Sequence, residues 1–249
     1  PLLELTDIPR EINYKTAYQY LCFGVYDNSS GTFFENISSL KPGQLLSFDL
    51  GGNSVKKDFW WDPEIGSIET LDFEEASIML RENFLQSVKK QLRSDVPVGA
   101  ALSGGIDSAT VVSLLQNQTS NIVNTFTIGF DEAGFDESKK AKSIASFLGT
   151  NHNEFFVSPK DALATIPKLS SLYDEPFADV SQIPTYILSE FSSSKVKVCL
   201  SGDGGDELFC GYNRHIVGPK IWGFLKYLPF SIRLIISNFI KSIPPSSWD

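Results

Sequence analysis

Two short segments of this sequence combine glycines with hydroxyls and carboxylates in spacings that suit phosphate chemistry. In the first, the apolar run Ala100-Ala101-Leu102 leads into Ser103-Gly104-Gly105-Ile106-Asp107-Ser108, and a helix is expected to open at Asp107 or Ser108. Gly104 and Gly105 let the backbone approach a ligand closely with unblocked N–H groups. A helix N-terminus beyond them adds unpaired donors and the positive end of a dipole. Ser103 and Ser108 supply hydroxyls, and Asp107 supplies a carboxylate for a cation. Together these residues describe a pyrophosphate cradle with a metal ligand built in. The segment lacks the Gly-Lys-Ser/Thr ending of a Walker loop and the Gly-x-Gly-x-x-Gly spacing of a dinucleotide fingerprint. The plain alternative is a glycine-permitted turn in which Asp107 or Ser108 is an ordinary N-cap.

The second segment, Lys197-Val198-Cys199-Leu200-Ser201-Gly202-Asp203-Gly204-Gly205-Asp206-Glu207, again runs from an apolar strand into an acidic, glycine-rich loop. Its carboxylates would repel a bare phosphate. They make sense with a divalent cation between them and the phosphates, the alternative being a solvated acidic turn.

Composition narrows the classes. The 249 residues are 42% hydrophobic and 20% charged, as in an ordinary soluble domain, with a formal net charge of −9. Without a run of Lys or Arg, a nucleic-acid partner is not expected. The three cysteines have no metal-ligand spacing and read as free thiols of a reducing compartment. The two histidines are isolated in sequence, which leaves little for a His-based metal site or a catalytic triad. The most apolar stretch, Ile216–Ile240, is broken by Lys226, Pro229 and Arg233, so no membrane span is expected. No signal peptide is visible, and the expected location is cytoplasmic.

The elements that would position the two loops alternate along the chain. Residues 1–65 read as β-rich, with runs at Tyr20–Tyr26, Gly31–Phe34 and Gln44–Leu50 separated by turn signals. From about Thr70 the pattern changes. Asp72–Arg93 has helical spacing with an acidic start and a basic end. Strands are then predicted at Val98–Leu102, Ile122–Phe130, His152–Val157 and Val196–Leu200. Helices are predicted at Ser108–Gln116, Asp136–Leu148, Ala162–Leu172 and Pro184–Ser192. This alternation predicts an α/β fold with a doubly wound parallel sheet covered on both faces. In such sheets ligands bind beyond the carboxyl ends of the strands, where both loops begin.

Ser103–Ser108 resembles the PP-loop of the ATP pyrophosphatases, which include asparagine, GMP, NAD and argininosuccinate synthetases. Ser201–Glu207 is similar to the Ser-Gly-Glu/Asp-Gly-x-Asp-Glu loop of the glutamine-hydrolysing asparagine synthetases. The resemblance implies the adenine-nucleotide alpha-hydrolase type of fold over residues 70–249, with ATP and Mg2+ as cofactors. It implies cleavage of ATP between its α and β phosphates and transfer of AMP to a carboxylate, that of aspartate or a related acid, followed by amidation with ammonia from glutamine. On this resemblance Leu102, Ser103, Gly104, Gly105, Asp107, Ser108, Ser201 and Gly202 bind the nucleotide. Asp107 and Asp206 hold the metal, and Asp203 takes the family's acid/base position, where Glu is frequent. Thr125–Phe130 looks like the strand whose end lines the adenine pocket; Ile128 is either a base contact or plain core.

Asp174-Glu175-Pro176-Phe177-Ala178-Asp179, with Thr185 and Tyr186, resembles a segment near the acceptor site. It makes Asp174, Glu175 and, from the acidic loop, Glu207 weaker substrate candidates. Some members carry Thr-Thr-Ile-Arg there, which Phe177–Val180 lacks. Tyr20–Gly24, Thr32–Ile37, Leu40–Gly43 and Phe59–Asp62 resemble the last part of a glutaminase domain and its linker. Residues 1–65 are therefore expected to be a remnant of that domain, and 70–249 a synthetase domain shortened at its C-terminus. The expected partners are a glutaminase domain and, in any oligomer, a second copy of the chain. Amidation of another carboxylate and a non-catalytic nucleotide-binding module are the alternatives.

Overall fold

The computed structural model describes residues 2–5, 7–25, 29–62, 70–130 and 136–243. The expected boundary between residues 65 and 70 and the position of Tyr26 lie largely outside them. At the centre is a four-stranded parallel sheet of β3 (Val98–Ala101), β4 (Asn124–Phe130), β5 (Asn151–Val157) and β6 (Val198–Leu200), in the order β5-β4-β3-β6. The chain steps outward from β3 through α3 (Ile106–Gln118) to β4, and through α4 (Ser138–Leu148) to β5. It then returns through α5 (Pro159–Leu172) and α6 (Gln182–Ser193) to β6 on the other side of β3. Parallel crossovers are almost always right-handed, so reversing the direction of winding puts the return helices on the opposite face.

Packing follows that division. On one face Ala100, Leu102, Val112, Leu115, Val123, Ala141 and Ala145 form a buried cluster joined by Val88 from α2 (Phe73–Gln91). On the other face Phe126, fully buried, meets Phe191 of α6 edge-on at 5.7 Å. Gly99 makes room for that ring, because a Cβ there would lie 2.8 Å from Phe126 Cε2. The helices carry their own start signals. Asp72 Oδ1 accepts from Glu75 N at 2.8 Å, and Ser158 and Asp161 form a reciprocal capping box behind Pro159. This capping hydrogen bond from Ser158 holds the Asp161 carboxyl below its ordinary range.

The N-terminal segment differs from expectation in one place. Tyr20–Phe23 belongs to a helix, α1 (Tyr14–Phe23), capped by Asn13 and ended by Gly24 in the left-handed conformation. An aromatic-rich run suits either period, and here the caps at both ends decide it. Extended structure does follow. Two isolated bridges join Ile12 to Phe34 and Gly31 to Ser38, and β1 (Gln44–Asp49) pairs antiparallel with β2 (Ser54–Phe59). Beyond β6 come α7 (Gly205–Phe209), α8 (Asn213–Leu225) and α9 (Phe230–Ser242). Neither α8 nor α9 contains a buried residue. Among the described residues no helix is long and apolar enough to cross a membrane.

The two-layer core gives a direct expectation. Phe126→Ala should lower unfolding free energy by about 3–5 kcal/mol, measured by urea denaturation. Phe73→Ala, at a side chain 90% exposed, should stay within about 0.5 kcal/mol.

Candidate active site

The reversal of strand order between β3 and β6 creates a crevice at their carboxyl ends, the general ligand position of open α/β sheets. Both glycine-rich loops open into it. From β3 the chain turns at Gly104, whose φ of 84° is in the left-handed region, and α3 begins at Ile106. A side chain at 104 would also meet Ala141 N of α4, 3.2 Å from its Cβ. The loop is held by its own serines. Ser103 N donates to Ser108 Oγ at 3.2 Å, the two hydroxyls lie 3.0 Å apart, and Gly105 N donates to Ser103 Oγ at 3.3 Å. Ser108 is buried, while Ser103 and Gly105 face outward.

From β6 the second loop lies directly on the first. A Cβ on Gly202 would be 2.7 Å from Ser108 N and 3.1 Å from Ser108 Cα. A Cβ on Gly205 would be 2.6 Å from Asp107 Oδ2. These two glycines therefore admit the start of α3 and the Asp107 carboxylate. Within the loop, Ser201 Oγ donates to Asp203 Oδ2 at 2.9 Å and fixes that carboxylate's orientation. The Asp206 carboxylate rests on Gly211, where a Cβ would overlap it, and Gly211 N donates to Asp206 O at 3.0 Å.

One cavity of about 920 Å³ is lined by Ser103, Gly105, Asp107, Ser108, Ser201, Gly202, Asp203 and Asp206. A neighbouring hollow of about 220 Å³ is lined by Leu102, Phe126, Thr127 and Ile128. The two share Ala101, Ser103, Glu137, Thr185 and Leu188. The expected phosphate-side and base-side residues thus occupy adjoining spaces in one crevice. Gly104 supports this floor from behind against α4.

Gly104 itself lines neither space, and three further sequence candidates lie elsewhere. Asp174 and Glu175 line neither space; Glu175 Oε2 accepts from the buried Phe33 N at 2.8 Å and ties the N-terminal segment to the sheet domain. Glu207 lines neither space and accepts from Tyr212 OH at 2.6 Å. That hydrogen bond holds the Glu207 carboxyl below the ordinary glutamate range. Conversely, Glu137, Leu188, Ser189 and Phe209 line the main cavity without having stood out in the sequence. Glu137 follows the carboxyl end of β4, and that position is the signal that could have found it.

Among the described residues no group of three or more His, Cys, Asp or Glu side chains is gathered as metal ligands. Magnesium commonly takes one or two carboxylates together with substrate phosphate oxygens and water. Asp107 and Asp206, lining the phosphate-side cavity from two loops in contact, fit that donor set.

The asparagine synthase family model matches residues 79–245. A putative glutamine-hydrolyzing asparagine synthetase 2 of Methanocaldococcus jannaschii is 37% identical over 231 residues, covering 91% of this chain and 44% of that protein. The glutamine-hydrolyzing asparagine synthetase 1 of Bacillus subtilis is 33% identical over 205 residues, covering 82% of this chain and 32% of that protein. The chain belongs to the asparagine synthase family. It spans less than half the length of these curated relatives. Among solved structures, an NH3-dependent NAD synthetase from Campylobacter jejuni overlaps 57% of this chain and 62% of its own, at 16% identity and a TM-score of 0.39. That overlap is too slight to carry the fold assignment, which rests on the strand order above.

The Glu207 contact predicts a titration change. Because the carboxyl ionises at lower pH when folded, the contact stabilises the chain above the ordinary glutamate range and is lost as pH falls through the lowered value. Tyr212→Phe should return the Glu207 pKa upward, read by a carbon-detected NMR titration of the carboxyl.

Proposed function

We propose that this chain is the ATP-using part of an enzyme that amidates aspartate to asparagine through a β-aspartyl-AMP intermediate, releasing AMP and pyrophosphate. The observation that carries the reading is the meeting of the two loops at the switch point, with Asp107, Asp203 and Asp206 on one cavity. Membership of the asparagine synthase family supports it.

The β- and γ-phosphates lie against Ser103, Gly105 and Ser108, where the N-terminus of α3 opens on the cavity, and Gly104 gives the turn its left-handed bend. The adenine takes the hollow beside Leu102 and Ile128. Asp107 and Asp206 would hold a divalent cation, which when bound offsets the charge developing on the departing pyrophosphate. The substrate carboxylate oxygen attacks the α-phosphorus, and the bond to the bridging oxygen of pyrophosphate breaks. Ammonia then attacks the acyl carbon, the bond to AMP breaks, and Asp203 takes a proton from the nitrogen. Ser201 positions Asp203 for this by its hydroxyl hydrogen bond.

Residues 1–65 are the end of a glutaminase domain and its linker on this reading, and the ammonia comes from glutamine hydrolysed by that domain. On this reading the enzyme is cytoplasmic and can assemble as a homodimer. Amidation of a different carboxylate is the second reading, favoured by the absence from Phe177–Val180 of the Thr-Thr-Ile-Arg stretch.

The test is exchange of labelled pyrophosphate into ATP with a series of carboxylic acids. Aspartate-dependent exchange is the expected result; exchange only with another acid moves the substrate, and no AMP formation with any acid removes the enzyme reading. Asp107→Asn and Asp206→Asn should each weaken magnesium-dependent ATP binding roughly tenfold or more, the scale of a lost contact to a charged group, measured by calorimetry.

A further inference from the structure

The crevice contains a carboxylate that the mechanism above does not use. Glu137 lines both the phosphate-side cavity and the base-side hollow. It sits at the N-cap of α4 with φ −98° and ψ 1°, yet its side chain makes no capping hydrogen bond to that helix. The cap region is served instead by Asp136 Oδ1, which accepts from Ser138 N at 3.0 Å. Across the crevice stands Thr185, exposed near the start of α6, and it lines the same two spaces. Of the five residues common to both spaces, Ala101 and Leu188 are apolar. Ser103 is already engaged with Ser108 and Gly105. Glu137 and Thr185 are the two polar side chains left at the junction.

We infer that Glu137, with Thr185 opposite, recognises the ribose of the nucleotide and makes the site selective for ribonucleotides over deoxyribonucleotides. The inference rests on the nucleotide reading proposed above and adds a residue and a selectivity to it. In a nucleoside triphosphate the sugar joins base to phosphates, so it must occupy the passage between the two spaces. A carboxylate there is unfavourable next to phosphate oxygens. It is well suited to accept hydrogen bonds from the 2′- and 3′-hydroxyls, since an ionised carboxylate is an acceptor only. A bond to a charged acceptor is about twice as strong as a neutral one. The Thr185 hydroxyl can donate or accept, and so can complete the sugar's pairing from the α6 side. Removing a sugar hydroxyl leaves the site's polar group without its partner, which is the strongest way a pocket rejects an analogue.

The experiment titrates the full chain, with magnesium present, with ATP, 2′-deoxy-ATP and 3′-deoxy-ATP, and repeats each titration for Glu137→Gln, Glu137→Ala and Thr185→Val. The chain should prefer ATP over at least one deoxy analogue by about tenfold or more, the scale of a hydrogen bond to a charged group. Glu137→Ala should lower ATP affinity by a similar factor while leaving that analogue nearly unchanged, so the ratio falls towards one. Glu137→Gln, which keeps the shape and an acceptor oxygen, should fall between. ATP binding without discrimination in the unaltered chain overturns the inference and leaves the nucleotide reading standing. An equal loss for all three ligands in Glu137→Ala, with the ratio intact, also overturns it and makes the residue structural. No binding of any nucleotide by the unaltered chain overturns both readings.

Discussion

The physical constraint on which the site depends is the approach of one loop's backbone to another's. Gly202 lies so near the first turn of α3 that a single Cβ would fall 2.7 Å from Ser108 N. Gly205 does the same for the Asp107 carboxylate, where a Cβ would fall 2.6 Å from Oδ2. Much of the site follows from these two contacts. They bring the donors at the start of α3 and the acidic loop after β6 into one cavity, and they leave the carboxylates facing the space rather than buried in it. The strand order β5-β4-β3-β6 makes the contact available, because β3 and β6 are parallel neighbours whose carboxyl ends release the two loops side by side.

A chain with a formal net charge of −9 has no general attraction for a polyanion. The arrangement answers this locally. On the proposed reading, backbone N–H groups and a helix N-terminus would make up the phosphate side, and the carboxylates of Asp107 and Asp206 suit a cation that would reverse their sign. Hydroxyl contacts keep the two loops in form: Ser108 with Ser103 in one, Ser201 with Asp203 in the other. The Glu207–Tyr212 bond fastens the short helix after the acidic loop. The layers behind the site are built for rigidity, with small residues at Gly99 and Ala100 letting Phe126 and the α3–α4 cluster close on either face of the sheet.

Much of this was legible in the sequence because the two central strands, β3 and β4, contain no exposed residue. Phe126, Thr125 and Ala100 are 0% exposed, and such strands read as continuous apolar runs between helical periods. Ser103–Ser108 was legible because Gly104, with its left-handed φ of 84°, turns the chain from an apolar strand directly into a helix. Three features were not. α1 was hidden because Tyr20-Leu21-Cys22-Phe23 has no clear period, and the deciding signals are Asn13 and Gly24 at its ends. Glu175 carries an acidic motif, but its carboxylate is used 142 residues away in sequence, on Phe33 N, and a local reading cannot see that pairing. Glu137 looks like any acidic residue at a helix start, and only the fold puts it between two hollows. Long-range juxtaposition, rather than local conformation, is what these segments withhold.

On the proposed function the two loops form one nucleotide site by direct backbone contact. The measurement that tests it most directly is magnesium-dependent ATP affinity in Gly202→Ala beside Gly218→Ala, a position in α8 where an added Cβ meets nothing within 4 Å. Gly202→Ala must displace the start of α3 or the acidic loop, so ATP affinity should fall by about tenfold or more while Gly218→Ala binds as the unaltered chain does. Unchanged ATP affinity in Gly202→Ala would contradict the account, since the loops would then bind without the contact that joins them.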